Sequence, residues 1–353
     1  MCNLAGYIGR KPAAPILIDM LRKQEGFGGG YQTGIATLSE GKLHYRKVIG
    51  AVDELLKQTD APELPGTVGI IHSRSKEFGD IEWGHPFVNP AENIAYVLNG
   101  FMGNFYAGKT NERKIINNLI EQGYKFRTRV NENVPNMPQL EDGSSVHMSE
   151  VKCFQADYMR SKCRTMNEAL LRAESSYPAE IVGLLLCTET PDSIHAARFN
   201  QPLMIGRRSV ETFLGTTAMA FPENLDSIVQ APIRSVMEFR RDNFEVSRLP
   251  DKTAPIADIL PFYEACQIIG EILSPDKGHD LQDLKNAVAG LWPKHMVTQN
   301  DMLVYEIMRL FKSQGKIRLE EHYAAGKIAG LKALHQYVYK NDKVAGIYRP
   351  VKP

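Results

Sequence analysis

Apolar and polar positions in the first 250 residues follow two patterns, one with a two-residue period and one with a helical period. Short runs rich in apolar and β-branched residues predict strands, whereas apolar residues spaced three and four apart predict helices. The predicted strands are Asn3–Ile8, Tyr31–Leu38, Lys42–Val48, Thr67–His72, Ile94–Leu98, Glu180–Cys187, His195–Arg198, Leu203–Ile205, Ser235–Phe239 and Asn243–Ser247, the last two forming a hairpin. The predicted helices are Ala14–Gln24, Val52–Gln58, Glu112–Gln122, Ser149–Cys163 and Thr165–Ala173. Many strands with a few long helices in two groups favour an α+β fold over strict βαβ repetition.

The pattern changes at a proline-containing linker, Leu249–Pro255. Helical periodicity then predominates, and short strands are expected at Lys316–Leu319 and Val344–Tyr348. The predicted helices here are Ile256–Leu273, Asp280–Leu291, Asn300–Ser313, Glu320–Ala324 and Lys327–Lys340. We therefore expect two domains, residues 2–250 and a small, mostly helical domain at 256–353, whose element order would suit a winged helix.

Composition narrows the class of protein without identifying it. Of the 353 residues 43% are hydrophobic and 24% charged, and a net charge of +1 gives no field that favours nucleic acid or an acidic membrane surface. The chain has no apolar run long enough to span a membrane, and its N-terminus does not resemble a signal peptide. Five scattered cysteines without a CxxC pair predict neither a disulfide framework nor a zinc site. We expect a cytoplasmic protein without a metal or another cofactor.

A cysteine at position 2 can become an N-terminal nucleophile. Removal of Met1 would leave Cys2 with a free α-amino group, which titrates near ~7.7–8.0, beside a thiol that titrates near ~8.5. The amine can then accept the thiol proton, so that one residue supplies both nucleophile and general base. The predicted strand that follows would hold the sulfur at the edge of a sheet. On position alone, the alternative is a chance cysteine at a chain terminus.

The segment Cys2-Asn3-Leu4-Ala5-Gly6 resembles the start of the glutaminase domain of class II glutamine amidotransferases, exemplified by glucosamine-fructose-6-phosphate aminotransferase. That family begins Met-Cys-Gly-Ile, so Asn3 replaces its usual glycine. Segments 196–206 and 211–217 resemble two further stretches of the family in the same order. The resemblance spans residues 2–250 and implies a four-layer αββα sandwich of the N-terminal-nucleophile hydrolase type.

The resemblance assigns roles to three further motifs. Arg74 falls on the arginine that binds the substrate carboxylate, a contact that a guanidinium makes better than an ammonium; a surface ion pair is the alternative. His85, in Gly84-His85-Pro86-Phe87, matches a histidine that lines the pocket, and a structural role stays open. Asn99 and the Gly100 N–H match the oxyanion hole, although Asn-Gly is also the strongest short pattern for a hairpin turn.

Two positions depart from the family. The loop after Arg74 keeps only Gly79 of a segment that closes over glutamine, so we expect Gly79 in the substrate site. Met148 stands where the family has the acid that holds the substrate ammonium. Asp142 and Glu150 are candidates to replace that acid, and the sequence does not decide between them.

We expect hydrolysis of the side-chain amide of glutamine, or of a γ-glutamyl compound, through a thioester on Cys2. About 100 residues after 255 are too few for paired sugar-isomerase domains, so ammonia would pass to a partner synthase subunit. A stand-alone γ-glutamyl amidohydrolase and a non-catalytic binding or regulatory module are the alternatives. A homo-oligomer stays open. Residues 301–353 contain ten Lys or Arg against five Asp or Glu, a modest excess that makes nucleic acid the less favoured partner.

Overall fold

The computed structural model describes residues 2–75, 78–103, 105–250, 256–293, 296–325, 330 and 332–341, except for the side chains of 106–110. Most of the described chain up to residue 250 is built on two antiparallel sheets. The first has seven strands in the order β11-β9-β10-β1-β4-β2-β3, and the second has six in the order β13-β12-β8-β7-β6-β5. The strand that follows Cys2, β1, is therefore at the centre of the first sheet.

The strands of the first sheet are β1 Asn3–Ile8, β2 Gln32–Ser39, β3 Lys42–Ile49, β4 Val68–Arg74, β9 Met204–Arg208, β10 Glu211–Gly215 and β11 Ser227–Gln230. Those of the second are β5 Phe87–Val88, β6 Ile94–Phe101, β7 Glu180–Cys187, β8 Ile194–Arg198, β12 Ser235–Phe239 and β13 Phe244–Arg248. The helices on this part of the chain are α1 Ala13–Arg22, α2 Val52–Gln58, α3 Tyr106–Glu121, α4 Met148–Arg160 and α5 Met166–Ser176.

The two sheets pack face to face between two layers of helices. Leu4 and Ile70 of the first sheet belong to the same buried cluster as Leu184 of the second, and this cluster fills the space between the sheets. On the outer face of the first sheet, Tyr7 packs with Leu17 of α1. On the outer face of the second sheet, α4 and α5 form the corresponding layer. This arrangement confirms the predicted α+β fold with four αββα layers.

Several predicted elements are confirmed with their boundaries. Strands Asn3–Ile8 and Glu180–Cys187 are as predicted, and both are buried along their whole length. A strand covered on both faces has apolar residues on both, which explains why these runs are nearly continuous rather than alternating. The predicted hairpin of β12 and β13 is also present.

Among the described residues after 255, three α-helices and a hairpin are the main elements, with a single 3-10 turn at Ala289–Leu291. These elements are α6 Phe262–Ile272, α7 Leu281–Val288, α8 Asn300–Ser313, β14 Ile317–Ala325 and β15 Lys332–Lys340. The helices predicted at Glu320–Ala324 and Lys327–Lys340 are wrong, because their described residues belong to an antiparallel pair in which Ile317 faces Lys340. The strand predicted at Lys316–Leu319 is the start of β14, and Val344–Tyr348 lies outside the described residues.

Burial explains the hairpin. Gln336 and Val338 are buried and their neighbour Tyr337 is only partly so, which is a two-residue period. Val338 and Ile317 join the cluster formed by α6, α7 and α8, so the hairpin closes the core of this region. In the part of the chain that the structure describes, no helix is long and apolar enough to cross a membrane.

Candidate active site

Cys2 lies immediately before the central strand of the first sheet. Strand β1 pairs with β4 on one side and β10 on the other, so the backbone that carries the thiol is fixed by two ladders. The Cys2 side chain is half-buried, and its Sγ lies 3.7 Å from the Ser75 Oγ. A nucleophile held by rigid strands keeps its position relative to groups on neighbouring strands.

His72 is the main influence that lowers the pKa of the Cys2 thiol. Burial raises the pKa of this thiol, but hydrogen bonding to His72 and the charge of its ring outweigh burial and lower the pKa to about 6. His72 is fully buried, and its Nε2 lies 3.1 Å from the Leu98 carbonyl oxygen. The other ring nitrogen, Nδ1, is buried without a hydrogen-bond partner among the described residues. The sequence placed His72 in the motif before Arg74 and gave it no role.

Asn99 lies beside Cys2. Its Nδ2 donates a hydrogen bond to the backbone oxygen of Cys2 at 3.0 Å and lies 3.4 Å from the Thr216 Oγ1. Thr216 also accepts a hydrogen bond from the Leu4 N–H at 3.0 Å, so this buried hydroxyl connects β1 to the end of β10. The role of Thr216 was missed, because only its place after β10 brings it to the site.

Asn99 and Gly100 are part of strand β6 and pair with β7, so the alternative of a hairpin turn is wrong. Gly100 has a φ of +123°, and a Cβ at this position would lie 2.0 Å from the Glu180 carbonyl oxygen. Only glycine fits such a backbone without displacing β7. The unusual backbone follows directly after the asparagine that contacts Cys2.

Arg74 is buried at the end of β4 and forms no ion pair with any residue that the structure describes. Its Nη1 donates to the Gln32 Oε1 and to the Phe78 carbonyl oxygen, both at 2.6 Å. Its Nη2 is buried without a hydrogen-bond partner among the described residues. Burial lowers the pKa of the guanidinium, and the nearby Cys2 and Tyr31 oppose this shift. The two hydrogens on the Arg74 Nη2 therefore have no acceptor among the described residues, although this buried cation lies near Cys2.

His85 lies against the other face of His72, with ring centroids 3.9 Å apart. Both of its ring nitrogens are buried without hydrogen-bond partners among the described residues. Burial and the neighbouring charges of His72 and His147 hold the pKa of His85 well below its usual value, so the ring is neutral. Its packing against Phe87, with centroids 4.8 Å apart, gives it a structural contact in addition to any contact with a ligand.

Gly79 packs against Trp83. It has a φ of +82°, and a Cβ there would lie 2.1 Å from the indole Cγ. The Trp83 ring in turn lies 5.6 Å from the Arg74 guanidinium carbon. The absence of a side chain at Gly79 therefore lets the backbone approach the Trp83 ring, which lies beside the Arg74 guanidinium.

The two candidates for the missing acid are both engaged elsewhere. The Glu150 carboxylate accepts hydrogen bonds from the backbone N–H of Arg127 and from the N–H and hydroxyl of Thr128, at 3.0, 3.1 and 2.6 Å. Asp142 is exposed and bound to Arg129 and Ser144. Met148, at the aligned position, is the buried first residue of α4. These bonds hold both carboxylates to residues of the segment 127–144 that precedes α4.

Asn3 connects the nucleophile to a glycine-rich loop at 25–30. Its Nδ2 donates to the carbonyl oxygens of Gln24 and Gly28, both at 2.9 Å. The Gln24 Nε2 reaches back to the Leu4 carbonyl oxygen at 3.3 Å. Asn3 therefore fixes this loop beside Cys2.

The same loop lines a cavity of about 710 Å³. Ser75 and the first turns of α2 and α7 contribute to its wall, and the hairpin of β14 and β15 closes it. This cavity could not be predicted from the sequence, because residues that line it, such as Glu25 and His335, are 310 positions apart along the chain. In the described residues no cluster of His, Cys, Asp or Glu could hold a metal ion, and all five cysteines are free.

Two antiparallel sheets between helical layers, with Cys2 leading into a central strand beside His72 and Asn99, define an N-terminal-nucleophile domain of the class II glutamine amidotransferase type. The curated relatives that match this chain support such a domain, and those relatives are enzymes. Among proteins of known activity, it is similar to the glutamine–fructose-6-phosphate aminotransferases of Pyrococcus horikoshii and Bacteroides thetaiotaomicron. The identities are 29% over 223 residues and 30% over 236 residues, covering 63% and 65% of this chain.

This chain spans about a third of the length of those relatives, 33% and 34% respectively. Among solved structures, it resembles the glutamine phosphoribosylpyrophosphate amidotransferase of B. subtilis in complex with ADP and GMP. The TM-score is 0.60 at 14% identity, covering 94% of this chain and 71% of that one, which shows a shared fold. No family model matches the chain.

Proposed function

We propose that this protein hydrolyses the side-chain amide of glutamine or of a γ-glutamyl compound through a thioester on Cys2. The observation that carries the proposal concerns Cys2. Its thiol has a pKa of about 6, and its backbone oxygen accepts a hydrogen bond from the Asn99 side-chain amide. A pKa of about 6 makes the thiolate the major form at pH 7, in about tenfold excess over the thiol. The thiolate attacks the amide carbon, and the C–N bond breaks as the leaving amine takes a proton from the α-ammonium of processed Cys2.

Asn99 and Gly100 are proposed to stabilise the tetrahedral oxyanion. One hydrogen of the Asn99 Nδ2 is bonded to the Cys2 backbone oxygen, and this bond holds the amide beside the nucleophile. The second hydrogen makes a long bond of 3.4 Å to the Thr216 Oγ1. We assign this hydrogen, released from that bond when substrate is present, and the Gly100 N–H to the oxyanion. Each such donor contributes about 3 kcal/mol to the transition state in comparable sites.

Arg74 is proposed to bind the substrate α-carboxylate. Its Nη2 lacks a partner among the described residues, while Gln32 and Phe78 hold the other side of the guanidinium in place. A buried donor without an acceptor costs about 1–3 kcal/mol, and a bound carboxylate would remove this cost. His85 and Gly79 are proposed to support this part of the site through the His72 and Trp83 rings.

We propose residues 2–250 as the amidohydrolase domain and 256–353 as an accessory domain in a cytoplasmic protein. Ammonia formed from glutamine could pass to a partner synthase subunit. The cavity beside Ser75 favours the second form of the function, in which the chain hydrolyses a larger γ-glutamyl amide by itself.

Intact-mass measurement followed by labelling with a glutamine-analogue electrophile tests the proposal. We expect a mass without Met1, one equivalent of label on Cys2, and glutamate release that Cys2→Ala abolishes. Cys163→Ala provides a matched control, since this half-buried cysteine lies after α4. Retention of Met1 in the active protein, or unchanged turnover in Cys2→Ala, would refute the proposed chemistry.

A further inference from the structure

The cavity beside the nucleophile has a size and a charge that the hydrolysis of glutamine does not require. Its volume of about 710 Å³ is within the range of about 300–1,000 Å³ that is typical of small-molecule sites. Ammonia and water would occupy only a small part of it. Ser75 lines the cavity and its Oγ lies 3.7 Å from the Cys2 Sγ, so the cavity begins beside the reacting sulfur.

The cavity wall is fixed from both sides. Asn3 holds the loop at Gln24 and Gly28, as described above. From the other side, the Gln336 N–H donates to the Gly26 carbonyl oxygen at 3.1 Å, and its Nε2 donates to the Glu25 carbonyl oxygen at 2.8 Å. A wall held by backbone and side-chain hydrogen bonds is suited to recognise a ligand without reorganisation.

Carboxylates predominate in the lining. The lining contains Glu25, Asp53, Glu54 and Asp280 together with Lys285 and Lys332. Of these carboxylates, Asp53 is paired with Arg22 at 2.5 Å, Glu54 lies 3.8 Å from the Lys57 Nζ, and Asp280 caps α7. The Lys285 Nζ is bound to Asp301 at 2.6 Å, so its charge is largely compensated outside the cavity. Lys332 is exposed at the rim.

Glu25 is the most suitable partner for a cation. Its side chain is half-buried, and its Oε1 accepts a hydrogen bond from the Val52 N–H at 2.7 Å. This bond fixes the carboxylate, and burial raises its pKa to about 7, so a cationic ligand beside Glu25 would favour its charged form. Asp53 and Glu54 follow Val52 at the start of α2 and line the same wall, but Arg22 and Lys57 partly compensate their charges, so Glu25 is the carboxylate on which the selection rests.

We propose that this cavity binds the amine part of a γ-glutamyl amide and selects amines that carry a second, cationic group. This inference rests on the proposed function, because the amine reaches the cavity only when Cys2 attacks the γ-carbonyl carbon. The C–N bond then breaks, the amine leaves protonated, and water hydrolyses the thioester to glutamate and regenerates the thiol. The net reaction is one amide and one water giving glutamate and one amine.

Three γ-glutamyl amides with the same four-carbon chain test the selection: those of 1,4-diaminobutane, butylamine and 4-aminobutyrate. We expect kcat/KM to decrease in that order, from cation to neutral chain to anion. Glu25→Gln keeps an oxygen for the Val52 N–H and removes the charge. It should lower the ratio of kcat/KM for the cationic over the neutral amide about fivefold, the upper effect of a partly exposed ion pair.

Glu63→Gln is the matched control, since Glu63 is an exposed carboxylate outside the cavity and should leave that ratio unchanged. Equal kcat/KM for the three amides would overturn the proposal. An equal loss on all three amides in Glu25→Gln would also overturn it, because Glu25 would then serve the common α-ammonium.

Binding of free 1,4-diaminobutane to the Cys2→Ala protein, measured by calorimetry, separates this proposal from the proposed function. Binding that weakens in Glu25→Gln supports the cavity assignment even if Cys2 proves inactive. Labelling of Cys2 and turnover of glutamine without any diamine binding would refute the cavity assignment and leave the proposed function intact.

Discussion

Replacement of His72 by glutamine should reduce the reactivity of the Cys2 thiol at neutral pH. The imidazole lowers the pKa of this thiol to about 6 against the effect of burial. Glutamine can still donate to the Leu98 carbonyl oxygen that now bonds the His72 Nε2, so the substitution removes the ring with the least disturbance of β4.

The expected magnitude follows from the thiolate fraction. With a pKa of about 6, the thiolate fraction at pH 7 is about 90%. Without His72, burial would hold the pKa at or above the ordinary value of about 8.5, which leaves about 3% thiolate at pH 7. The rate of alkylation at pH 7 should therefore fall about 30-fold.

The assay is alkylation of Cys2 by iodoacetamide between pH 5 and pH 9, read by mass spectrometry of the N-terminal peptide. In the unmodified protein the rate should be high above pH 6 and fall as the pH drops through 6, because the reactive thiolate is lost on protonation. In His72→Gln the midpoint should move above pH 8. Cys163 provides an internal reference in both proteins. An unchanged midpoint would refute the assignment of His72 as the activating group.

Three further substitutions test the geometry around Cys2. Asn99→Ala removes the amide that bonds the Cys2 backbone oxygen and should lower kcat for glutamate release by about 10²–10³, with a smaller change in KM; a loss below tenfold would exclude Asn99 from the oxyanion site. Gly100→Ala should destabilise the fold by more than about 2 kcal/mol, since it adds a contact with Glu180 to the cost of a positive φ. Gly123→Ala is its control, because Gly123 also has a positive φ and an added Cβ there meets nothing within 4 Å; equal losses of melting temperature would contradict the clash. Asn3→Gly should speed hydrogen exchange in residues 24–30 because two side-chain hydrogen bonds to that loop are lost, and unchanged protection would show that the loop is fixed by other contacts.

The sandwich could be predicted from the sequence because its central strands are long and buried on both faces. Strand β1 has a continuous apolar pattern, and its predicted boundaries match the structure. Strand β11 was missed because it is a four-residue edge strand whose residues are all exposed, so it has no apolar periodicity. The hairpin of β14 and β15 was taken for helices because Glu, Lys, Ala and Leu are good helix formers. Packing against the C-terminal helices favours the extended form despite that propensity.

The candidate site divides in the same way. Cys2, Arg74 and Asn99 could be found because each lies in a short motif, and the structure brings all three together. Thr216 reaches the site only through the pairing of β10 with β1, which no local pattern reveals. The cavity wall is likewise formed by contacts such as that between Glu25 and Gln336, which are 311 positions apart.

The contact between Glu25 and Gln336 connects the loop beside Cys2 to the C-terminal hairpin. Gln336 donates hydrogen bonds to the loop at Glu25 and Gly26. Asn3, the residue after Cys2, donates a hydrogen bond to the same loop. A fragment that stops at residue 250 would keep both sheets but lose the side of the cavity beside Cys2 that β14 and β15 form. Substitutions in the hairpin could therefore change which ligands enter the cavity, while every residue assigned to the thioester chemistry stays the same.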